Sequence, residues 1–281
     1  MKVTQKLAIT YIRIQFKVIA AISSVIAAER AFTLFCTPFP KRKRQAPALF
    51  ATAEVLQLEL DGNTLTGWRW NKGGTKKVLI LHGFASCAYN FHTYIKDLVQ
   101  KGYEVLAFDA PAHGRSSGKT VNVIQYSNMI VAINQLYGPI DCYLAHSFGG
   151  IAIGLALEQL AHGNQVSVAL VAPATETTTA IDHAFALLGL RSKKVRTHFN
   201  NIIERLSGKP ASWFSLRRAA HNIKASILWL HDEDDTVTPL ADALQVQADN
   251  HPHIRFVITK GLGHQQIYRD TSVRSHIVNF L

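Results

Sequence analysis

The chain is poor in cysteine. Cys36, Cys87 and Cys142 are widely spaced, and no CxxC pair occurs. That excludes a disulfide framework and a cysteine-based metal or redox pair, and makes a reducing compartment the expected setting. The N-terminal segment lacks a long hydrophobic run. Its longest uncharged stretch, Val18–Ala28, contains Ser23 and Ser24 and falls short of the ~20 apolar residues a spanning helix needs. Acidic residues are scarce, 19 against 30 lysines and arginines, for a net charge of +11. Internal repeats and low-complexity tracts are absent. Charged residues make up only 17% of the 281 positions while 48% are apolar, which excludes a disordered chain and supplies a sizeable core.

The positive charge is concentrated at the front. Residues 1–50 hold Lys2, Lys6, Arg13, Lys17, Arg30 and the run Lys41–Arg44 against Glu29 alone, a net of +8. The other 231 residues carry 21 basic and 18 acidic side chains. Lys6, Thr10, Arg13, Lys17 and Ser24 follow helical spacing among Ile, Val and Phe, so the segment reads as a helix with a narrow basic stripe and a wide apolar face. Ile12 to Val18 also alternates with period two, which leaves a strand open. Four readings remain for this helix: on a membrane surface, packed on the protein's own body or a second copy, a signal peptide cleaved at Val25-Ile26-Ala27, or an interrupted anchor. A basic front end points to an anionic partner. Four consecutive cations without interleaved aromatics are a weak nucleic-acid signal, so no specific nucleic-acid partner is expected.

From residue 54 the pattern changes. Val55 to Leu60 alternates, Asp61-Gly62-Asn63 turns, and Thr64 to Trp70 returns with Trp68 and Trp70 on one face, a hairpin signature. Short apolar runs follow at Val78–Leu81, Val105–Phe108, Cys142–Ala145, Val166–Val171, Ile227–Leu230 and Ile254–Ile258. Helical stretches fall near 90–101, 122–137, 149–161, 240–248 and 270–280. Apolar runs of this length, most of them followed by a helix, predict a parallel sheet covered on both faces. The rhythm breaks over about 173–223. That span is too long for a plain connection and has two helical patterns, Ile181-Phe185-Leu188 and Val195-Phe199-Ile202-Ile203-Leu206, in a basic context. We read it as a helical insertion. The expected organisation is therefore a segment 1–50 and a domain 51–281.

The chemistry centres on Ala145-His146-Ser147-Phe148-Gly149-Gly150, which leaves a strand and opens a helix. This is the G-x-S-x-G turn with Ala first: small residues two before and two after, such as Gly149, keep strand and helix from colliding and push the serine hydroxyl outward. A serine hydroxyl needs a base, and the base an orienting acid. Both follow in order: Asp232-Glu233-Asp234-Asp235 after one late strand, His264 after the next. Asp235 is the preferred acid, because Thr236-Val237-Thr238-Pro239 behind it reads as a loop feeding a helix; Asp232 and Asp234 are the fallback. Of the other histidines, His82, His113 and His146 lie near the site by motif. An oxyanion hole would take the amides of Phe148 and Phe84, with Gly83 letting the backbone approach. Cys87, beside that loop, has no base assigned to it and reads as structural.

Together these residues resemble the α/β-hydrolase superfamily in its single-domain, helical-cap branch. The matching pieces are Leu81-His82-Gly83-Phe84, the run Phe108-Asp109-Ala110-Pro111-Ala112-His113-Gly114-Arg115-Ser116-Ser117-Gly118, the turn around Ser147, His231–Pro239 and Gly261–His264, all in order across about 54–281. Ala112 and Ala145 stand where that family usually has glycine, and Asp232 where glycine is common. The resemblance implies a mostly parallel eight-stranded sheet with helices on both faces. It implies Ser147 as nucleophile, His264 as base and Asp235 as its partner, the insertion as a cap shaping the pocket, and neither cofactor nor metal. A serine at the turn argues against the dehalogenase and epoxide-hydrolase branches. The expected activity is hydrolysis of a small ester or thioester through an acyl-enzyme, with amide or C–C hydrolysis, acyl transfer or a non-catalytic binding module as alternatives. The expected location is cytoplasmic, peripheral to an inner membrane face in the first helix reading, and the chain is expected as a monomer or homodimer.

Overall fold

The computed structural model describes residues 3–38 and 45–281, with side chains from Ile9 onward. The basic run Lys41–Arg44 lies outside the described residues. The chain opens with α1 (Val3–Ile22) and α2 (Ser24–Cys36), then the hairpin β1 (Glu54–Leu60) and β2 (Asn63–Trp70). There follow β3 (Lys77–Leu81), α3 (His92–Gln100), β4 (Glu104–Phe108), α4 (Val123–Tyr137), β5 (Cys142–His146), α5 (Phe148–Leu157) and β6 (Ser167–Val171). Then come α6 (Thr177–Leu188), α7 (Lys193–Ser207), α8 (Leu216–Ala220), β7 (Ser226–Asp232), α9 (Leu240–Ala248), β8 (Ile254–Thr259), α10 (Gly263–Gln266) and α11 (Thr271–Phe280).

The eight strands form one sheet in the order β1-β2-β4-β3-β5-β6-β7-β8. The β1–β2 and β2–β4 pairs are antiparallel and the rest parallel. The fold is therefore α/β, as the run of short apolar segments predicts. The central strands are apolar throughout because both faces are covered: Val78–Leu81, Val105–Phe108 and Cys142–Ala145 are all buried. The hairpin edge is fastened by Arg69, whose guanidinium donates to both oxygens of its cross-strand partner Glu54 (2.7 and 2.8 Å). Parallel strands end together, so the loops after β3, β5, β7 and β8 gather at one edge of the sheet, where open α/β sheets bind ligands.

The chain divides into two compact units. One is residues 38–175 with 215–281, which holds the sheet. The other is residues 1–37 with 176–214. The insertion is thus shorter than the expected 173–223, and the N-terminal helices group with it. Within that second unit α2 packs on α7 and α1 on α6. Phe199 of α7 is 1% exposed and takes edge-on contacts from Phe32, Phe35 and Phe185 at 5.2 to 5.7 Å. Each such aromatic pair is worth roughly 1 kcal/mol beyond its burial. The Arg13 Nε–H donates to the Leu187 carbonyl (2.8 Å). The alternation at Ile12–Val18 does not make a strand: with no sheet edge in this unit, the 3.6 period that buries Phe16 prevails. Leu206 departs from its expected buried position and is 60% exposed, in the last turn before Gly208 ends α7 in a left-handed conformation (φ 68°).

Candidate active site

Ser147 links β5 to α5 with φ 55° and ψ −118°. That is a positive-φ conformation which costs a non-glycine residue on the order of 1–3 kcal/mol and persists only where surroundings enforce it. They do so here. The Ser147 N–H donates to Val171 O (3.1 Å), and the Ser147 carbonyl accepts from Gly150 N (2.8 Å) and Ala174 N (2.9 Å). At Gly149 a Cβ would lie 2.7 Å from the Leu81 carbonyl, so only glycine lets α5 start this close to β3. Gly83 is under the same constraint, since its Cβ would come within 2.9 Å of Ser147 Cβ.

The three residues expected to act together do meet. His264 Nε2 lies 3.0 Å from Ser147 Oγ, and its Nδ1 lies 2.8 Å from Asp235 Oδ2. These contacts select one tautomer: Nδ1–H donates to the carboxylate and Nε2 accepts from the hydroxyl. All three are largely enclosed, with Ser147 8% and Asp235 7% exposed. Burial alone would raise the Asp235 carboxyl. The hydrogen bond and charge of His264, with the amides of Thr238 and Val237, more than offset it and hold the group at about 2.

The neighbouring acids have other tasks. Asp232 accepts from Asp234 N, Leu262 N, Gly263 N and the Thr259 hydroxyl, all within 2.7 to 3.1 Å. Asp234 accepts from Gly261 N (3.0 Å). Both therefore clamp the glycine-rich turn that presents His264, whose ring meets Asp235 instead. Glu233 is exposed and pairs with Lys260 (3.1 Å).

The turn after β3 is braced by residues from other motifs. The buried His82 accepts from Ala110 N (2.9 Å), and His113 Nε2 accepts from Ala85 N (2.9 Å). The rings of Phe84 and Phe148 touch edge-on at 5.7 Å. The amides of these two residues make no hydrogen bond to another described residue. His146 sits beneath the base. Its Nε2 lies 3.1 Å from the His264 carbonyl, its ring packs on His264 and Tyr268, and its Nδ1 is buried without a partner. Burial, then the nearby His264, lowers it to about 3, so it stays neutral.

Two residues inside the matching motifs, to which the sequence alone assigns no role, also contribute. His231 Nε2–H donates to the Thr238 carbonyl (2.8 Å) and steadies the turn holding Asp235. Asp109 accepts from Ala88 N (2.8 Å) and Arg115 N (2.7 Å), tying two loops together, and burial raises it to about 6. Cys87 is in no disulfide; burial lifts the Cys36 and Cys142 thiols to about 12 and 11. Among the described residues, one group has metal-ligand composition: His221, Asp249 and His251, with ligand atoms within 4.8 Å of one another. Both oxygens of Asp249 already accept from Arg217 (2.7 Å each), whose charge opposes a cation there.

A doubly covered parallel sheet whose carboxyl edge brings together a strained serine, a histidine and a buried aspartate defines an α/β fold of the hydrolase type. The family described as serine aminopeptidase, S33, matches residues 74–212, about half the chain. The sn-1-specific diacylglycerol lipase ABHD11 of Danio rerio is 30% identical over 157 residues, 54% of this chain and 47% of that protein. An uncharacterized hydrolase, YugF, of Bacillus subtilis (strain 168) is 25% identical over 114 residues, 39% of this chain and 41% of that protein. The matched stretches thus span less than half the length of these curated relatives. Among solved structures, the Pyrococcus furiosus esterase PF2001 superposes with a TM-score of 0.65 at 17% identity, over 88% of this chain and 97% of that one. The chain has the α/β-hydrolase fold and is similar in sequence to that superfamily over residues 74–212.

Proposed function

We propose that this chain is a serine hydrolase that cleaves a carboxylic ester or thioester through an acyl-enzyme. The observation that carries the reading is the His264 imidazole held between Ser147 Oγ (3.0 Å) and Asp235 (2.8 Å). The Ser147 oxygen attacks the substrate carbonyl while His264 Nε2 takes its proton. Asp235, ionised to low pH, keeps the imidazole in the receptive tautomer and stabilises the imidazolium. The carbonyl oxygen becomes an oxyanion, received by the Phe84 and Phe148 amides, the second of which opens α5 where the helix dipole favours negative charge. His264 returns the proton to the leaving alcohol or thiol, and the acyl group stays on Ser147. Water then attacks the acyl carbonyl, giving its proton to His264, which passes it to Ser147 Oγ as the acyl–oxygen bond breaks and the free acid departs. The names of the relatives, a diacylglycerol lipase and an esterase, support an ester over an amide.

The test is labelling of the full chain with a fluorophosphonate, beside Ser147→Ala. Labelling of the wild type that vanishes in the variant is expected, followed by turnover of p-nitrophenyl esters. A folded wild type that neither labels nor turns over any ester or thioester overturns the reading.

A further inference from the structure

The second unit carries an apolar stripe that nothing within it covers. Tyr11, Ile14, Val18 and Ile22 recur at three- and four-residue steps and so share one side of α1. They are 63%, 58%, 55% and 78% exposed, and Val25 and Ile26 in the first turn of α2 are 46% and 45% exposed. The inward face of the helix pair is already in use, with Phe16, Ala27, Ala28 and Ala31 buried. The stripe is therefore a second apolar face, beyond what folding of the unit requires, and such faces mark interaction sites.

Its surroundings are cationic. Lys17 and Arg30 are exposed on the same two helices, and Arg191, Lys193, Lys194, Arg205 and Lys209 on the rest of the unit. The sequence of residues 1–37 and 176–214 holds eleven basic and four acidic side chains, a net of +7. A second copy seated on the stripe would bring two such charges together. A nucleic acid would satisfy the cations but leave the stripe in water. An anionic bilayer satisfies both: apolar side chains enter the headgroup boundary while lysines reach the phosphates. No described helix is long and apolar enough to cross a membrane, so α1 would lie in the plane.

We propose that α1 and the first turn of α2 form a docking surface for an anionic lipid bilayer, with Tyr11, Ile14, Val18, Ile22, Val25 and Ile26 inserted. The proposal goes beyond the hydrolase reading and stands or falls without it, because binding is read apart from turnover.

The experiment is co-sedimentation of the full chain with vesicles of phosphatidylcholine alone or with about one-third phosphatidylserine. Sedimentation with the anionic vesicles, weakened at least ~10-fold with neutral ones or in high salt, is expected. The variant Ile14→Ser/Val18→Ser/Ile22→Ser, altered only at exposed positions, should lose at least ~10-fold in binding. Its melting temperature should be unchanged. Lys17→Glu should cost about 10-fold on anionic vesicles alone. Failure of the wild type to sediment with anionic vesicles overturns the proposal, as does a triple variant that binds like the wild type. A wild-type dimer that the triple variant converts to monomer without vesicles also overturns it and assigns the stripe to a second copy.

Discussion

The two units differ in where they keep their charge. Outside residues 1–37, 176–214 and the Lys41–Arg44 run, the chain has 15 basic and 15 acidic side chains. The net charge of +11 is therefore +7 from the helical unit and +4 from that run, and the rest of the unit holding Ser147, Asp235 and His264 is neutral. In the neutral unit, charges are spent in named contacts, such as Arg69 on Glu54 and Arg217 on Asp249. In the helical unit most cations are solvated. A field generated by one region and chemistry located in another can be tuned separately.

Substitutions at the serine should break that separation least and lower activity most. Ser147→Ala should reduce turnover of a short soluble ester by on the order of 10⁶ and leave vesicle binding unchanged. A loss of comparable size from the α1 stripe variant would break the comparison. Next in size, Asp235→Asn should cost about 10⁴ in kcat. Asp232→Asn should cost far less turnover and instead lower Tm by about 5 °C, because buried backbone donors lose their acceptor. Steady-state kinetics and calorimetry on the pair separate the two roles.

A smaller effect sharpens the neutral unit's dependence on pH. His146 has an ordinary value of 6.5 and stands at about 3 in the fold. The unfolded chain therefore binds a proton that the folded chain refuses between those values, and stability falls as pH drops through that window. His146→Gln should remove nearly one proton from the slope of unfolding free energy against pH between about 6.5 and 4. An unchanged slope in denaturant titrations would place the uptake elsewhere. The smallest effect is at Ala112, whose φ of 63° favours glycine. Ala112→Gly should raise stability by about 1 kcal/mol, or 2–4 °C in Tm.

Legibility in the sequence was uneven for physical reasons. Six strands fall within a residue or two of the apolar runs that predict them; five are buried nearly throughout and have no solvated positions to blur their ends, while β8, only partly buried, is apolar except at Arg255 and Thr259. Ser147, Asp235 and His264 were readable because each follows a strand in a fixed order. Among the acids, the Thr236–Pro239 loop favours Asp235 from the sequence, whereas the clamping of the His264 turn by Asp232 and Asp234 has no sequence signal, since it rests on amides of a distant segment. The bracing by His82 and His113 was illegible because their partners lie 28 residues away on other loops, and that by His231 because the turn bringing Thr238 back to it leaves no periodic signal. The grouping of α1 and α2 with α6 and α7 was hidden likewise: periodicity at Phe16 or Phe199 shows that a face is apolar, not what it meets.

That grouping has a consequence for synthesis. Helices α1 and α2 leave the ribosome before α6, which begins roughly 140 residues after α2 ends. At about 5–20 residues per second, Phe16, Ala28 and Phe35 wait on the order of 10 s before Phe185 and Phe199 exist to meet them. During that interval the nascent chain displays two successive amphipathic helices with their apolar faces open. Whatever engages it then, a chaperone or a lipid surface, does so before the serine site has been made.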